Sequence, residues 1–376
     1  MEYLWKHPDW PRFTYQTDAL QGVLYKYAAE ANALAGRLAG VDEEEKSEAL
    51  IDLMVTEAIR TSQIEGEHYD RDDVRSSIRN QLGIVSVPEP VRDPRANGIS
   101  ALMISAREVF REPLTETRLL HWHDLVMTDA LLRGRIPVGQ WRDDEMQIVS
   151  GPIGKETVHF VAPPPNSVPH EMAAFIEWFN ETAPDGEKIK LPAPVRAAVL
   201  HLYFETIHPF ADGNGRIGRA LSEMALSQEL GSPVLLSLSS VIQIRRREYY
   251  DELNRASRGE LDITRWVDWF VRVVLQAQMD AREMIMFVLA KARFWDRYAS
   301  KLNERQGRAI KRMLREGVHG FTGGMSARKY VAITGCSKAT ASRDLAELAD
   351  LGIFRQRPGG GRSTSYDLIL PQAGWN

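Results

Sequence analysis

The chain has 376 residues, 44% hydrophobic and 26% charged, a composition that suits a globular protein of two or three domains with a sizeable core. Its net charge of −4 supplies no overall basic field for nucleic acid, its single cysteine, Cys336, excludes an internal disulfide framework and fits a reducing compartment, and no apolar run reaches bilayer-spanning length. The opening Met1-Glu2-Tyr3-Leu4-Trp5-Lys6-His7-Pro8 is not a signal peptide, so the expectation is a cytoplasmic protein with no membrane partner.

Helical patterns dominate. An aromatic-rich opening (Tyr3, Trp5, Trp10, Phe13, Tyr15) precedes helices that run through Leu82. Within them Leu50, Leu53, Met54 and Ala58 recur at core spacing and lead into Thr61-Ser62-Gln63-Ile64-Glu65-Gly66. Glu65 ends that helix and Gly66 reads as its cap. A carboxylate there faces the negative end of the helix dipole, unfavourable by a few tenths to about 1 kcal/mol, and taken alone it is a solvent-screened surface glutamate. Val85 to Pro94 reads as a linker, and helices resume near Ala96. From Gly139 to Pro165 the β-prone runs Ile148-Val149-Ser150 and Thr157-Val158-His159-Phe160-Val161, separated by Gly151-Pro152-Ile153-Gly154, predict a hairpin. Pro194 to Ile207 carries Val195, Ala198, Val199 and Leu202 at helical spacing. Arg247 to Leu253 places Tyr249 and Tyr250 on an amphipathic helix, and a long helical stretch covers Thr264 to Leu302.

The richest chemistry lies in His208-Pro209-Phe210-Ala211-Asp212-Gly213-Asn214-Gly215-Arg216-Ile217-Gly218-Arg219. Gly213 and Gly215 admit positive φ and close ligand approach, and Asn214 tolerates the left-handed region. Successive N–H groups in such a turn form an anion nest, reinforced by the N-terminus of the following helix. Arg216 and Arg219, three apart, share a helix face and suit phosphate oxygens. Asp212 beside phosphates would repel them unless a cation intervened, and Mg²⁺ takes one carboxylate plus phosphate oxygens. His208, with an ordinary pKa near neutrality, suits a general base for a hydroxyl. There is no Gly-Lys-Ser/Thr and no preceding strand, which argues against a P-loop. His159 and His201 lack metal-ligand spacing with His208.

This segment resembles the signature of the Fic family, His-x-Phe-x-(Asp/Glu)-Gly-Asn-Gly-Arg-x-x-Arg, at every fixed position. Members typically transfer AMP from ATP to a hydroxyl of a target protein. The resemblance implies His208 as base, Asp212 as Mg²⁺ ligand, Gly213, Asn214 and Gly215 as the anion nest, and Arg216 and Arg219 on the triphosphate, with Arg219 nearest the γ-phosphate. Thr61, Glu65 and Gly66 match the family's inhibitory motif, (Ser/Thr)-x-x-x-Glu-(Gly/Asn), which implies that Glu65 pairs with Arg219. In some relatives that glutamate also positions a water for AMP removal. The hairpin resembles the flap on which members dock an extended target segment, implicating Val158, His159 and Phe160. Tyr250 resembles a tyrosine that borders the adenine, and core packing explains the two tyrosines equally well. The aromatic start resembles the small N-terminal domain of many bacterial relatives.

The last 76 residues carry 13 Lys/Arg against 6 Asp/Glu, a basic excess within an acidic chain. Helices over Ser326–Ala332 and Ser337–Asp350, a turn at Thr334-Gly335-Cys336, strands at Leu351–Phe354 and Tyr366–Leu370, and the basic loop Arg355–Arg362 resemble a winged helix. Lys338, Thr340, Ser342, Arg343, Arg355, Arg357 and Arg362 are then candidate DNA contacts, with protein contact or dimerisation the equal alternative. The expected fold is mainly α: an N-terminal helical domain over 1–95, a Fic-type helical core with a small hairpin flap over 96–290, and a winged helix over 303–376. The expected activity is protein AMPylation of a Ser, Thr or Tyr hydroxyl with Mg²⁺, restrained by Glu65, with self-modification and de-AMPylation as further outcomes. A DNA-binding regulator whose core senses nucleotide is the alternative, and a third reading changes the donor to another nucleotide or phosphocholine. The target protein is unidentified, and a second copy of the chain is a candidate partner.

Overall fold

The computed structural model describes residues 3–128, 135–150, 157–187, 191–358 and 364–371. The fold is mainly α, with small sheets only among the described residues. In chain order the helices are α1 (Gln21–Leu38), α2 (Glu43–Ile64), α3 (Arg71–Gln81), α4 (Arg95–Glu108) and α5 (Glu116–Val126); then follow the strands β1 (Gln147–Ser150) and β2 (Thr157–Val161). Next come α6 (Val168–Glu181), α7 (Ala193–Ile207), α8 (Asn214–Leu230), α9 (Leu238–Ile244), α10 (Arg246–Ala256) and α11 (Thr264–Tyr298). The chain continues with α12 (Glu304–Leu314), β3 (Met325–Ser326), α13 (Ala327–Thr334), α14 (Lys338–Asp350), β4 (Phe354–Gln356) and β5 (Ser365–Leu368). Two compact units result, Met1–Ala39 with Leu50–Ala281, and Gly40–Ala49 with Arg282–Asn376. No helix among the described residues is long and apolar enough to cross a membrane.

In the first unit α7 is the central post. All of its residues are buried, as expected for a helix apolar around its whole circumference. Its one early cation, Arg196, is satisfied where it lies, donating to Thr182 Oγ1 at 3.1 Å, Gln228 Oε1 at 2.7 Å and the Phe179 carbonyl at 2.7 Å. His201, further along, is a core histidine: Nε2 is 2.9 Å from Tyr249 Oη and Nδ1 is 3.3 Å from Ser222 Oγ. The post packs chiefly on α8, which in turn rests on α4 and α5. At the α4–α5 crossing only glycine fits at position 98, since a Cβ there would lie 2.0 Å from the Leu125 carbonyl oxygen. The hairpin β1–β2 is antiparallel, pairing Gln147 with Val161 and Ser150 with Thr157, with a bulge at Ile148/Val149.

In the second unit α12 opens on a reciprocal capping box between Asn303 and Gln306. Ser326 and Ser337 cap α13 and α14. The sheet has the order β3-β5-β4, all antiparallel. The strands begin elsewhere than the sequence suggests: Leu351 and Gly352 close α14 in a tight turn, Gly352 having φ +71°, so β4 starts only at Phe354. The two-residue β3 is too short to carry an alternation signal.

Candidate functional site

The C-terminus of α7 sets the position of His208. Its N–H donates to the Phe204 carbonyl at 2.9 Å, and the residue turns into the left-handed region at φ +50°, the one non-glycine to do so among the described residues. That conformation is strained and must be held from outside. Arg142, 3% exposed, supplies the hold. Its Nε donates to the His208 carbonyl at 2.8 Å, its backbone N–H to the Pro209 carbonyl at 2.9 Å, and Nη1 to the Asp144 carbonyl at 3.0 Å. The imidazole Nδ1 lies 3.4 Å from the Glu205 carbonyl and 3.7 Å from the Glu205 carboxylate. Burial drives the His208 pKa down to about 4, with the Arg142 cation adding to it and Glu65 and Asp212 opposing. The ring is therefore neutral near pH 7. With its proton on Nδ1 toward the carbonyl, Nε2 keeps a free lone pair. The Glu205 carboxyl is pushed up to about 8, first by burial and then by Glu65.

The loop after His208 is pinned by Asn214 rather than left open. Asn214 Oδ1 accepts from the Phe210 N–H at 3.0 Å, and its Nδ2 donates to the Phe210 carbonyl at 2.8 Å. The Phe210 ring, fully buried, stacks on His123 with centroids 4.1 Å apart. Gly213, at φ +83°, caps α8. Asp212 is half-exposed, and its Oδ1 accepts from the Gly213 N–H at 2.5 Å.

Arg216 and Arg219 leave the first two turns of α8 almost fully buried, and both meet the end of α2. Past Ile64 the chain reverses about Gly66, at φ +86°, with the N–H groups of Glu65 and Glu67 both donating to the Ser62 carbonyl, at 3.0 and 2.9 Å. Arg219 donates through Nε to Thr61 Oγ1 at 2.8 Å, and through Nη2 to the Thr61 carbonyl at 3.0 Å and to Glu65 Oε1 at 2.7 Å. A Cβ at Gly215 would sit 2.3 Å from that same Glu65 oxygen, so glycine there is what lets the carboxylate approach. Arg216 donates through Nη1 to both Glu67 oxygens, at 2.9 and 3.0 Å, and its Nη2 is 3.5 Å from Asp212 Oδ1. Each arginine still has one buried N–H without a hydrogen-bond partner among the described residues, Nε in Arg216 and Nη1 in Arg219.

Beside this cluster is a cavity of about 460 Å³, within the range of small-ligand sites. Its walls include His159, Phe160, Glu205, Thr206, Arg246, Tyr250 and Asn254. Tyr250 is on the cavity wall with its hydroxyl 3.5 Å from the Ile64 carbonyl, whereas Tyr249 is buried against His201. On the hairpin, Val158 is exposed and Phe160 turns inward onto the Tyr3 ring. The Val158 and His159 carbonyls both accept from Arg258, so the outer side of β2 is already partly occupied.

The structure thus gathers His208, Asp212, Gly213, Asn214, Gly215, Arg216, Arg219, Thr61, Glu65 and Gly66 into one site, with Tyr250 next to it. Lys338 and Arg343 are exposed on α14 in the other unit, while the Thr340 hydroxyl is 3.0 Å from Ser337 Oγ at the helix cap. Arg362 lies outside the described residues. Arg142, His123, Glu205 and Glu67 are additions that sequence reasoning misses. Arg142 sits far away in sequence with no motif around it. Glu67 lies one residue beyond the recognised pattern.

Two stretches match known families: residues 3–84 match a domain of unknown function (DUF4172), and residues 113–226 match the Fic/DOC family. The chain is 33% identical over 103 residues to the probable protein adenylyltransferase of Aquifex aeolicus (strain VF5), covering 27% of this chain and 28% of that protein. It is 32% identical over 102 residues to the protein adenylyltransferase Fic of Nematostella vectensis, covering 27% of this chain and 22% of that protein. The match thus spans about a quarter of the length of these curated relatives. A solved Fic family protein from Desulfovibrio desulfuricans G20 superposes with a TM-score of 0.52 at 21% identity, over 92% of this chain and 96% of that one, a likeness of fold.

Proposed function

We propose, from the premise that residues 113–226 match the Fic/DOC family, that the chain is a protein adenylyltransferase, moving AMP from ATP to a hydroxyl of a target protein, and that the end of α2 restrains it. The observation that carries this reading is a buried arginine pair beside a neutral histidine, with Arg219 gripped by Thr61 and Glu65. The anion-seeking groups are already assembled, and carboxylates of the same chain occupy them.

His208 Nε2 takes the proton of the target hydroxyl as its oxygen attacks the α-phosphorus, and diphosphate departs on the opposite side. Arg216 and Arg219 bind the departing phosphates once Glu65 has moved. Catalysis is then mostly positioning and charge neutralisation. A half-exposed Asp212 carboxylate beside phosphate-binding groups fits Mg²⁺, which takes few protein ligands and completes its shell from phosphates and water. When bound there, the ion would offset phosphate charge. The cavity bordered by Tyr250 would take the adenosine, and the β2 strand would align the target segment through its backbone once Arg258 releases the Val158 and His159 carbonyls.

The test is the intact mass of purified protein after incubation with ATP and Mg²⁺. Glu65→Gly gains the mass of one or more AMP groups, and Glu65→Gly with His208→Ala gains none. No added mass on Glu65→Gly, together with no AMP-modified protein in a cell extract treated with it, would reject the reading.

A further inference from the structure

We propose that Glu67 is a second arm of the restraint, which withholds Arg216 from a nucleotide's phosphates independently of the hold that Glu65 has on Arg219. The inference rests on the reading above that these arginines serve phosphates. Arg216 is 2% exposed and commits Nη1 to both oxygens of Glu67, at 2.9 and 3.0 Å. Such a shared, charge-assisted contact is the geometry a phosphate oxygen would otherwise claim. Asp212 is more distant, at 3.5 Å from Nη2, and Nε has no partner among the described residues, so Glu67 is the principal occupant of this guanidinium.

Glu67 is itself held from its other side. The Tyr69 hydroxyl donates to Glu67 Oε2, and the Tyr69 ring lies under the Arg95 guanidinium, 5.4 Å from it. Arg95 in turn is paired with Asp93 at 2.8 Å. These contacts do not touch Arg216; they orient the Glu67 carboxylate toward it.

Glu65 and Glu67 flank Gly66, whose left-handed turn aims both side chains at the first two turns of α8. Rotation of that turn would withdraw the two carboxylates together. Removal of the Glu65 side chain alone leaves Arg216 occupied, so such a variant is only partly released.

The two arms are separable by ligand. ADP lacks the phosphate assigned to Arg219 but keeps a diphosphate for Arg216, and adenosine has neither. The experiment measures binding of adenosine, ADP and ATP to the full chain by calorimetry with Mg²⁺ present, for the parent, Glu67→Gln, Tyr69→Phe and Glu65→Ala. Glu67→Gln should tighten ADP roughly tenfold with adenosine unchanged, and Tyr69→Phe should tighten ADP by a smaller factor. Glu65→Ala should tighten ATP far more than ADP. Equal ADP affinity in the parent and Glu67→Gln, with adenosine and ATP still bound, overturns the second arm and leaves the adenylyltransferase reading standing. Should Glu67→Gln not fold, an unchanged ADP affinity in Tyr69→Phe overturns it instead. Failure of every variant to bind any of the three ligands overturns both.

Discussion

Replacing Glu65 with alanine should move nucleotide affinity and folding stability in opposite directions. The carboxylate lies 2.7 Å from Arg219 Nη2, and the arginine is 1% exposed while Glu65 is 27% exposed. With charge centres about 4 Å apart and an effective dielectric near 20, the pair interacts by up to roughly 4 kcal/mol. Partial exposure of the carboxylate lowers this to about 2 kcal/mol, or roughly thirtyfold in the binding of a triphosphate that must displace it. The same change strips a buried guanidinium of its one ion-pair partner among the described residues. Its two hydrogen bonds to Thr61 remain, so unfolding free energy should fall by about 3 kcal/mol, at the lower end for broken buried pairs. Calorimetry with ATP and urea unfolding without nucleotide read the two quantities on one preparation. An ATP affinity within twofold of the parent would refute the competition argument, and an undiminished stability would refute the claim that Arg219 depends on Glu65.

Other outcomes follow from the same contacts. In the Glu65→Gly background the reaction rate should stay level from pH 8 to pH 5 and fall only toward the His208 pKa of about 4; a midpoint near 6.5 would mean that burial does not hold this ring neutral. Folding stability should decline as pH drops below 6.5, because His201 and His123, held down to about 3 and about 4 chiefly by burial, bind protons in the unfolded chain before the folded one. Replacing His123 by Gln should flatten that decline in a thermal-melt series. Gly98→Ala should lower stability by about 2 kcal/mol, read by urea unfolding, since its Cβ would meet the Leu125 carbonyl oxygen at 2.0 Å. If α14 meets DNA, duplex affinity measured by fluorescence anisotropy should fall steeply with salt and drop again in Lys338→Ala with Arg343→Ala. A flat titration at low salt would assign those cations elsewhere.

The ends of α7 and α8 were readable from residue types because each constraint there is local. Gly213 marks the turn, whereas Asn214 and Gly215 are already helical; the apolar run marks the buried helix, and the arginine spacing marks a shared face. Gly66 likewise marks the reversal after α2. What joins these pieces is not local. Arg142 locks the strained His208 from 66 positions away, and Glu67 reaches Arg216 across 149. No spacing rule links residues so far apart, and an acid beside another acid reads as surface charge until its partner is seen. The inward turn of Phe160 was hidden for a related reason. Alternation along β2 says which residues share a face, and only the packed Tyr3 ring tells which face is the core.

The central claim is that the AMP moiety itself moves onto protein, and that the α2 carboxylate holds this back. The most direct measurement is incubation of the parent and Glu65→Gly with ATP carrying a radiolabel on either the α- or the γ-phosphate, followed by denaturing electrophoresis. Protein-bound label is expected from the α-labelled donor only, far stronger in Glu65→Gly. Label arriving from the γ-position, or equal labelling of the two proteins, would contradict the claim.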